Sequence, residues 1–258
     1  MEEALLKDGE RIDDLQINNL KIIQNPNGFC FGLDAVLLAN FVELRKGFKV
    51  VDLGTGTGII PILLAGKSQD TQIKAIEIQE DVSEMASRSM KLNQLEDRVE
   101  VLNIDLKDHN KYLQPNSFDV VTTNPPYMHS EGLINPGDKK AISRHEVKCT
   151  LEDVIATAAK LLKDHGKLFM VHRPQRLVDI IIQCRKYKLE PKRLRFVHST
   201  AGKKPNLLLL ECRKFSQPEL KIVDPLIIYK DNGQYTDEIQ SIYERTSLQE
   251  GGGNYGEG

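Results

Sequence analysis

The sequence predicts an α/β protein built on a mostly parallel sheet of seven strands, the last of them antiparallel, with helices on both faces. Three observations carry this. Short β-branched runs alternate with amphipathic stretches through much of the 258 residues, the pattern of strands joined by crossover helices. A glycine-rich turn, Gly54-Thr55-Gly56-Thr57-Gly58, stands between an apolar strand and an apolar helix. Further on, two β-like runs are separated by only seven residues, Ser199 to Pro205; a parallel crossover needs about a dozen, so this pair reads as an antiparallel hairpin.

In order, strands are expected at Val50 to Leu53, Ile73 to Ile78, Val99 to Ile104, Phe118 to Thr123 and Lys167 to His172. Between and after them, Ile59 to Ala65, Glu80 to Asn93, Leu151 to Leu162 and Leu177 to Tyr187 read as helices. The third is the best signalled. Thr150-Leu151-Glu152-Asp153 offers a capping-box start, Leu151, Val154, Ile155, Ala158 and Leu162 form an apolar face, and Gly166 reads as the stop. The hairpin strands are Arg193 to His198 and Asn206 to Cys212. Upstream, in Gly28 to Ala39, Asp34 is placed to start a helix as its N-cap. The tail Gly251 to Gly258 reads as a flexible end.

Hydrophobic residues make up 40% and charged residues 28%, with a net charge of -2, ordinary for a globular protein. Cys30, Cys149, Cys184 and Cys212 are scattered, without a Cys-x-x-Cys pair or a completing His, so a reduced cytoplasmic setting and no metal are expected. The acidic start lacks the basic and apolar parts of a signal peptide, and no apolar run approaches the roughly 18 residues of a membrane span. Charge is unevenly spread. Residues 173 to 214 hold 12 Lys and Arg against Asp179, Glu190 and Glu211, while the first 20 hold six acids and two bases. A one-sided basic region suits a polyanion, and equally a solvated helix with its flanking loops.

A dinucleotide site would require Gly-x-Gly-x-x-Gly, yet the candidate third positions here are Ile59 or Pro61. The spacing of Gly54, Gly56 and Gly58 instead resembles the glycine motif of Rossmann-like class I methyltransferases, and implies S-adenosylmethionine as cofactor. Glu77 lies about 20 residues beyond the loop, where a carboxylate can accept both ribose hydroxyl protons. Asp105 follows the third strand and is placed to meet the cofactor adenine. By the same resemblance Asp52 lies near the methionine end. Each acid alone also suits a solvated or helix-capping role; the three together line one crevice at the strand ends.

Phe118 to Tyr127 ends in Asn124-Pro125-Pro126-Tyr127, which resembles the fourth motif of amino methyltransferases. The lone pair of an adenine amino group is delocalised into the ring. Acceptors at the Asn124 side-chain oxygen and the Pro125 carbonyl would favour a tetrahedral nitrogen aimed at the methyl group, so that orientation and electrostatics carry the catalysis. Tyr127 would stack on the base, a contact worth about 1 to 3 kcal/mol, with Pro126 beside it. Phe31 and Asp34 belong to a segment that resembles the one closing over the cofactor in this class. The stretch His129 to Glu146, with Lys139, Lys140 and Arg144, is longer than a connection requires and is expected to meet substrate.

From about Asp14 to Thr246 the chain resembles the bacterial tRNA adenine N6-methyltransferases that modify adenine 37 of a valine tRNA. Motif order, compact length and the ending Pro225 to Tyr229, a turn, then Tyr235-Thr236 carry the resemblance. It implies a tRNA partner; together with the charge excess it points to phosphate contacts from Arg193, Arg195, Lys203 and Lys204, and a monomer is expected. DNA adenine methyltransferases share the tetrapeptide but usually append a large target-reading domain. Ribosomal RNA guanine N2-methyltransferases commonly carry a duplicated domain, and release-factor glutamine methyltransferases a separate N-terminal helical domain. An RNA-binding module that has kept the fold would be expected to lose the intact loop, Glu77 and Asn124. The expected parts are an N-terminal segment over the cofactor pocket (1–45), the catalytic domain (46–214), a strand and helix extension (215–250) and the tail (251–258).

Overall fold

The computed structural model describes residues 2–28, 30–125 and 149–244. A short antiparallel pair, β1 (Arg11–Asp14) and β2 (Lys21–Gln24), comes first and stands apart from the main sheet. Helix α1 (Leu33–Phe41), whose N-cap is Gly32 and not the expected Asp34, leads to β3 (Lys49–Leu53), α2 (Ile59–Lys67), β4 (Gln72–Glu77), α3 (Glu80–Leu92), β5 (Val99–Asn103) and β6 (Phe118–Thr123). After the undescribed 126–148 come α4 (Leu151–Leu161), β7 (Leu162–His172), α5 (Leu177–Lys186), β8 (Leu189–His198), β9 (Pro205–Lys214), β10 (Lys221–Ile227) and α6 (Asp237–Glu244). No helix among the described residues is long and apolar enough to cross a membrane.

The sheet runs β10-β8-β9-β7-β6-β3-β4-β5. From β7 through β6, β3 and β4 to β5 every pairing is parallel, whereas β9 is antiparallel to both β7 and β8. The expected hairpin is therefore present. One strand is added to the expected seven, because β10 pairs in parallel with the outer side of β8. Its sequence carries Pro225, which cannot donate to a ladder, and the pairing shifts register between Val223 and Leu226. An edge is where a sheet tolerates both.

Alternate residues of the central strands feed two cores. Val50, Val120, Phe169 and Val171 pack with α1, α2, α6 and the β1–β2 pair, while Val51, Val121, Leu168 and Met170 pack with α4 and α5. Burial on both faces explains why these strands read as continuous apolar runs. Helix α4 begins with the expected capping box: Thr150 Oγ1 accepts the Asp153 N–H at 3.1 Å, and Asp153 Oδ2 accepts the Thr150 N–H at 2.9 Å. It does not stop at Gly166. Leu162 is already extended, and Gly166 lies within β7, where a Cβ would sit 2.9 Å from the Lys163 carbonyl and 3.2 Å from that of Asp119. The glycine serves close approach of two strands rather than helix termination.

Candidate active site

Leu53 pairs with Ile76, so the turn leaving β3 lies against the end of β4. The Gly54 and Thr55 N–H groups both donate to the Ile76 carbonyl, at 3.0 and 2.9 Å. Gly54, Gly56 and Gly58 have φ of 73°, 56° and 89°, left-handed values that side chains resist. A Cβ on Gly58 would come within 2.5 Å of Met90 Cε on α3, whereas one on Gly54 or Gly56 would meet nothing within 4 Å. The third glycine thus serves packing, and the first two leave backbone facing open space.

Three carboxylates stand at the ends of β3, β4 and β5, as the sequence pattern implies. Glu77 is buried; its Oε2 accepts the Gly56 N–H at 3.0 Å and its Oε1 the Gln79 N–H at 3.0 Å. That ties the glycine loop to β4. Asp52 is fully buried and accepts a hydrogen bond from the Thr122 hydroxyl at 2.6 Å. Burial pushes its carboxyl up to about 6; the Thr122 and Thr55 hydroxyls oppose the rise and the nearby Glu77 charge adds to it. Asp52 Oδ2, Thr55 Oγ1 and Thr57 Oγ1 are buried without a hydrogen-bond partner among the described residues. Asp105 caps a short 3-10 turn (Leu106–Lys111), its Oδ1 accepting the Lys107 N–H at 2.9 Å.

At the next strand end, Thr123 pairs with Leu53 and its hydroxyl donates to the Leu53 carbonyl at 3.0 Å. Asn124 follows. Its Nδ2 donates to Asp34 Oδ2 at 3.1 Å, and Asp34 Oδ1 accepts the Ala35 N–H at 2.9 Å. A carboxylate can only accept, so this contact sets which end of the Asn124 amide carries oxygen and which nitrogen. Asp34 therefore reaches Asn124 at the end of β6. Pro125 is buried just beyond. Phe31 donates its N–H to Gln24 Oε1 at 2.9 Å and packs its ring against the core. Pro126, Tyr127, Lys139, Lys140 and Arg144 lie outside the described residues.

A family model described as the methyltransferase small domain matches residues 19–184, well over half of the chain. The chain belongs to this family. Among curated proteins it is similar to the tRNA1(Val) (adenine(37)-N6)-methyltransferase of Phocaeicola vulgatus, 28% identical over 211 residues, covering 82% of this chain and 87% of the relative. The enzyme of the same name from Porphyromonas gingivalis is 29% identical over 221 residues, covering 83% of this chain and 86% of the relative. A solved structure titled a predicted O-methyltransferase from Agrobacterium tumefaciens superposes with a TM-score of 0.69 at 24% identity, covering 83% of this chain and 96% of its own. That likeness concerns the fold.

Two of the basic residues expected to meet substrate are instead engaged inside this methyltransferase. Arg193 lies opposite Glu211 and pairs with it at 2.9 Å, pairs with Glu43 at 2.8 Å, donates to the Phe41 carbonyl at 3.0 Å and stacks 4.1 Å above the Phe41 ring. It fastens the end of α1 to the sheet. Arg195 pairs with Glu238 at 2.7 Å and donates to the Asp224 carbonyl at 2.9 Å, joining β8 to β10 and α6. Lys203 and Lys204 differ, because both are exposed on the β8–β9 turn. That turn shares an edge with Asn124, since β9 is antiparallel and sets Leu208 opposite His172 at the end of β7. Burial, with Arg176 beside it, pushes His172 down to about 4. Its Nδ1 accepts the Arg173 N–H at 2.8 Å, so the neutral ring carries its proton on Nε2.

Sequence reasoning missed Thr122 and Gln24. Thr122 meets Asp52 only through the β3–β6 register, and Gln24 is a buried amide on the small pair of strands. Period alone marks neither.

Proposed function

We propose that this protein transfers a methyl group from S-adenosylmethionine to N6 of an adenine in tRNA, adenine 37 beside the anticodon of a valine tRNA. The observation that carries the reading is the Asn124 carboxamide, oriented by Asp34 at the end of β6, one strand from Asp52 and the glycine loop and two from Glu77. Family membership and the two curated relatives support it.

The residues present suit the cofactor. Gly54 and Gly56 leave room for close approach, and the three orphaned buried polar atoms of Asp52, Thr55 and Thr57 call for a polar occupant. When bound, S-adenosylmethionine supplies an electrophilic methyl group on a sulfonium. Glu77 accepts from its ribose hydroxyls, Asp105 faces its adenine, and Asp52 with the loop threonines serves the methionine end. Phe31 and Asp34 border the pocket, within the segment 1–45 that covers it.

Toward the target base, the Asn124 oxygen and the Pro125 carbonyl accept the amine hydrogens and turn the nitrogen lone pair outward. No strong base is required, because the methylated nitrogen is acidic and loses its proton afterwards. Pro126 and Tyr127 hold the ring, and Lys139, Lys140, Arg144, Lys203 and Lys204 meet phosphates. An anticodon loop already exposes its bases, so the cost of opening a duplex does not arise.

The test is incubation with labelled S-adenosylmethionine and, separately, total tRNA, ribosomal RNA, DNA and release factors. Label in tRNA, resolved by mass spectrometry as N6-methyladenine at position 37, is the expected result. Label confined to ribosomal RNA or to a protein glutamine overturns the substrate while leaving methyl transfer standing.

A further inference from the structure

The segment after β10 takes no part in the site described above, yet it ends at the same edge of the sheet. The Tyr229 N–H donates to the Ser199 carbonyl at 2.8 Å, and Ser199 opens the turn that carries Lys203 and Lys204. An antiparallel bridge between Tyr229 and Tyr235 brings their rings to 5.3 Å at an interplanar angle of 15°, and Tyr235 lies 6.2 Å from Tyr243 of α6 at 21°. Three tyrosines form one stack. Tyr243 packs against the core, but Tyr229 and Tyr235 are 37% and 38% exposed, and a stack open at one end is a surface to which another flat ring can add.

Two cavities share Tyr235 and Gln240. One, of about 490 Å³, reaches from Tyr235 and Tyr243 to Phe31 and includes Gln16 and Asp14; the other, of about 420 Å³, is lined by Tyr229, Tyr235 and Gln234. Phe31 stands three residues before Asp34, which holds Asn124. Glutamine carboxamides present a donor and an acceptor side by side, the pattern that pairs with a base edge. Asp14 in the wall of the larger cavity accepts the Gln16 N–H at 2.7 Å; a carboxylate there disfavours a phosphate and suits a base amino group. The exposed lysines lie outside both cavities, where a backbone would pass.

We infer that the tyrosine stack and its glutamine-edged cavities form a second base-binding subsite, which takes an unpaired nucleobase flanking the target in an RNA substrate. The inference rests on the reading of the substrate as RNA. The subsite anchors the loop beside the crevice, so that the target base enters already oriented while its neighbour is held on tyrosine.

The test uses Tyr229→Ala and Tyr229→Phe in the full chain, each checked by thermal melting. The probes are a short RNA hairpin with the target adenine in its loop and versions carrying an abasic nucleotide on the 5′ or 3′ side of it. Tyr229→Ala is expected to weaken binding of the intact hairpin about tenfold, Tyr229→Phe to retain it, and the loss to disappear on one of the two abasic hairpins. S-adenosylmethionine affinity stays unchanged. Wild-type binding by Tyr229→Ala, or an equal loss on every hairpin, overturns the subsite while RNA methylation stands. A wild-type protein that methylates no RNA removes the substrate reading and the subsite with it.

Discussion

Asp52 is the residue whose state depends most on its surroundings. It is fully buried, and its carboxyl rises from an ordinary 3.8 to about 6. For an acid raised in this way, the folded protein holds a proton that the unfolded chain has released between those two values. The associated stability is fully present below about pH 4 and is lost as the pH climbs through 6. Asp52→Asn removes that dependence while keeping an acceptor for Thr122. The variant is therefore expected to gain on wild type between pH 4 and 7, by roughly 3 kcal/mol at most, from about 1.4 kcal/mol per pKa unit. His172 titrates across part of the same window in the opposite sense, with stability falling as the pH drops toward 4, but it is common to both proteins and cancels. Denaturant midpoints across the pH range make the comparison, and a constant difference would show that Asp52 is not proton-linked to folding.

At the scale of elements, α4 follows the undescribed 126–148 directly, and its capping box is its first hydrogen-bonded feature. Removing the Thr150 hydroxyl takes away the acceptor for the Asp153 N–H. Thr150→Ala is expected to cost about 1 kcal/mol, read as a shift in urea midpoint at constant slope; an unchanged midpoint would mean that water replaces the cap without loss. This helix was legible because its cap and apolar face agree. Strands β3 and β6 were legible because burial on both faces gives them apolar runs. The β1–β2 pair and β10 were less so: the first two are four residues each, and β10 is a mostly exposed edge strand with a proline. The internal partners of Arg193 and Arg195 were not legible for a related reason. Each is defined by its partners across the sheet, Glu211 and Glu43 for one and Glu238 for the other, and register and crossing contacts are invisible along the chain.

Across the whole molecule, the sheet order gathers residues as much as 90 positions apart at one edge. Parallel β3, β4, β5 and β6 all end there, so the glycine loop, Glu77, Asp105 and Asn124 become neighbours, and α1 brings Asp34 in above them. The site motifs could be read one by one because each sits at a strand end; the Asp34 contact with Asn124 could not, since only the folded layers supply it. The proposed function divides the labour across this edge: Glu77 would hold cofactor, and Asn124 would act on the target amine. Single-turnover methylation at saturating S-adenosylmethionine separates the two. Glu77→Ala, having lost a buried acceptor worth about 1 to 3 kcal/mol of affinity, should run near the wild-type rate once saturated. Asn124→Ala should run about 100-fold to 1,000-fold slower at the same saturation. A near-normal rate for Asn124→Ala would contradict the account.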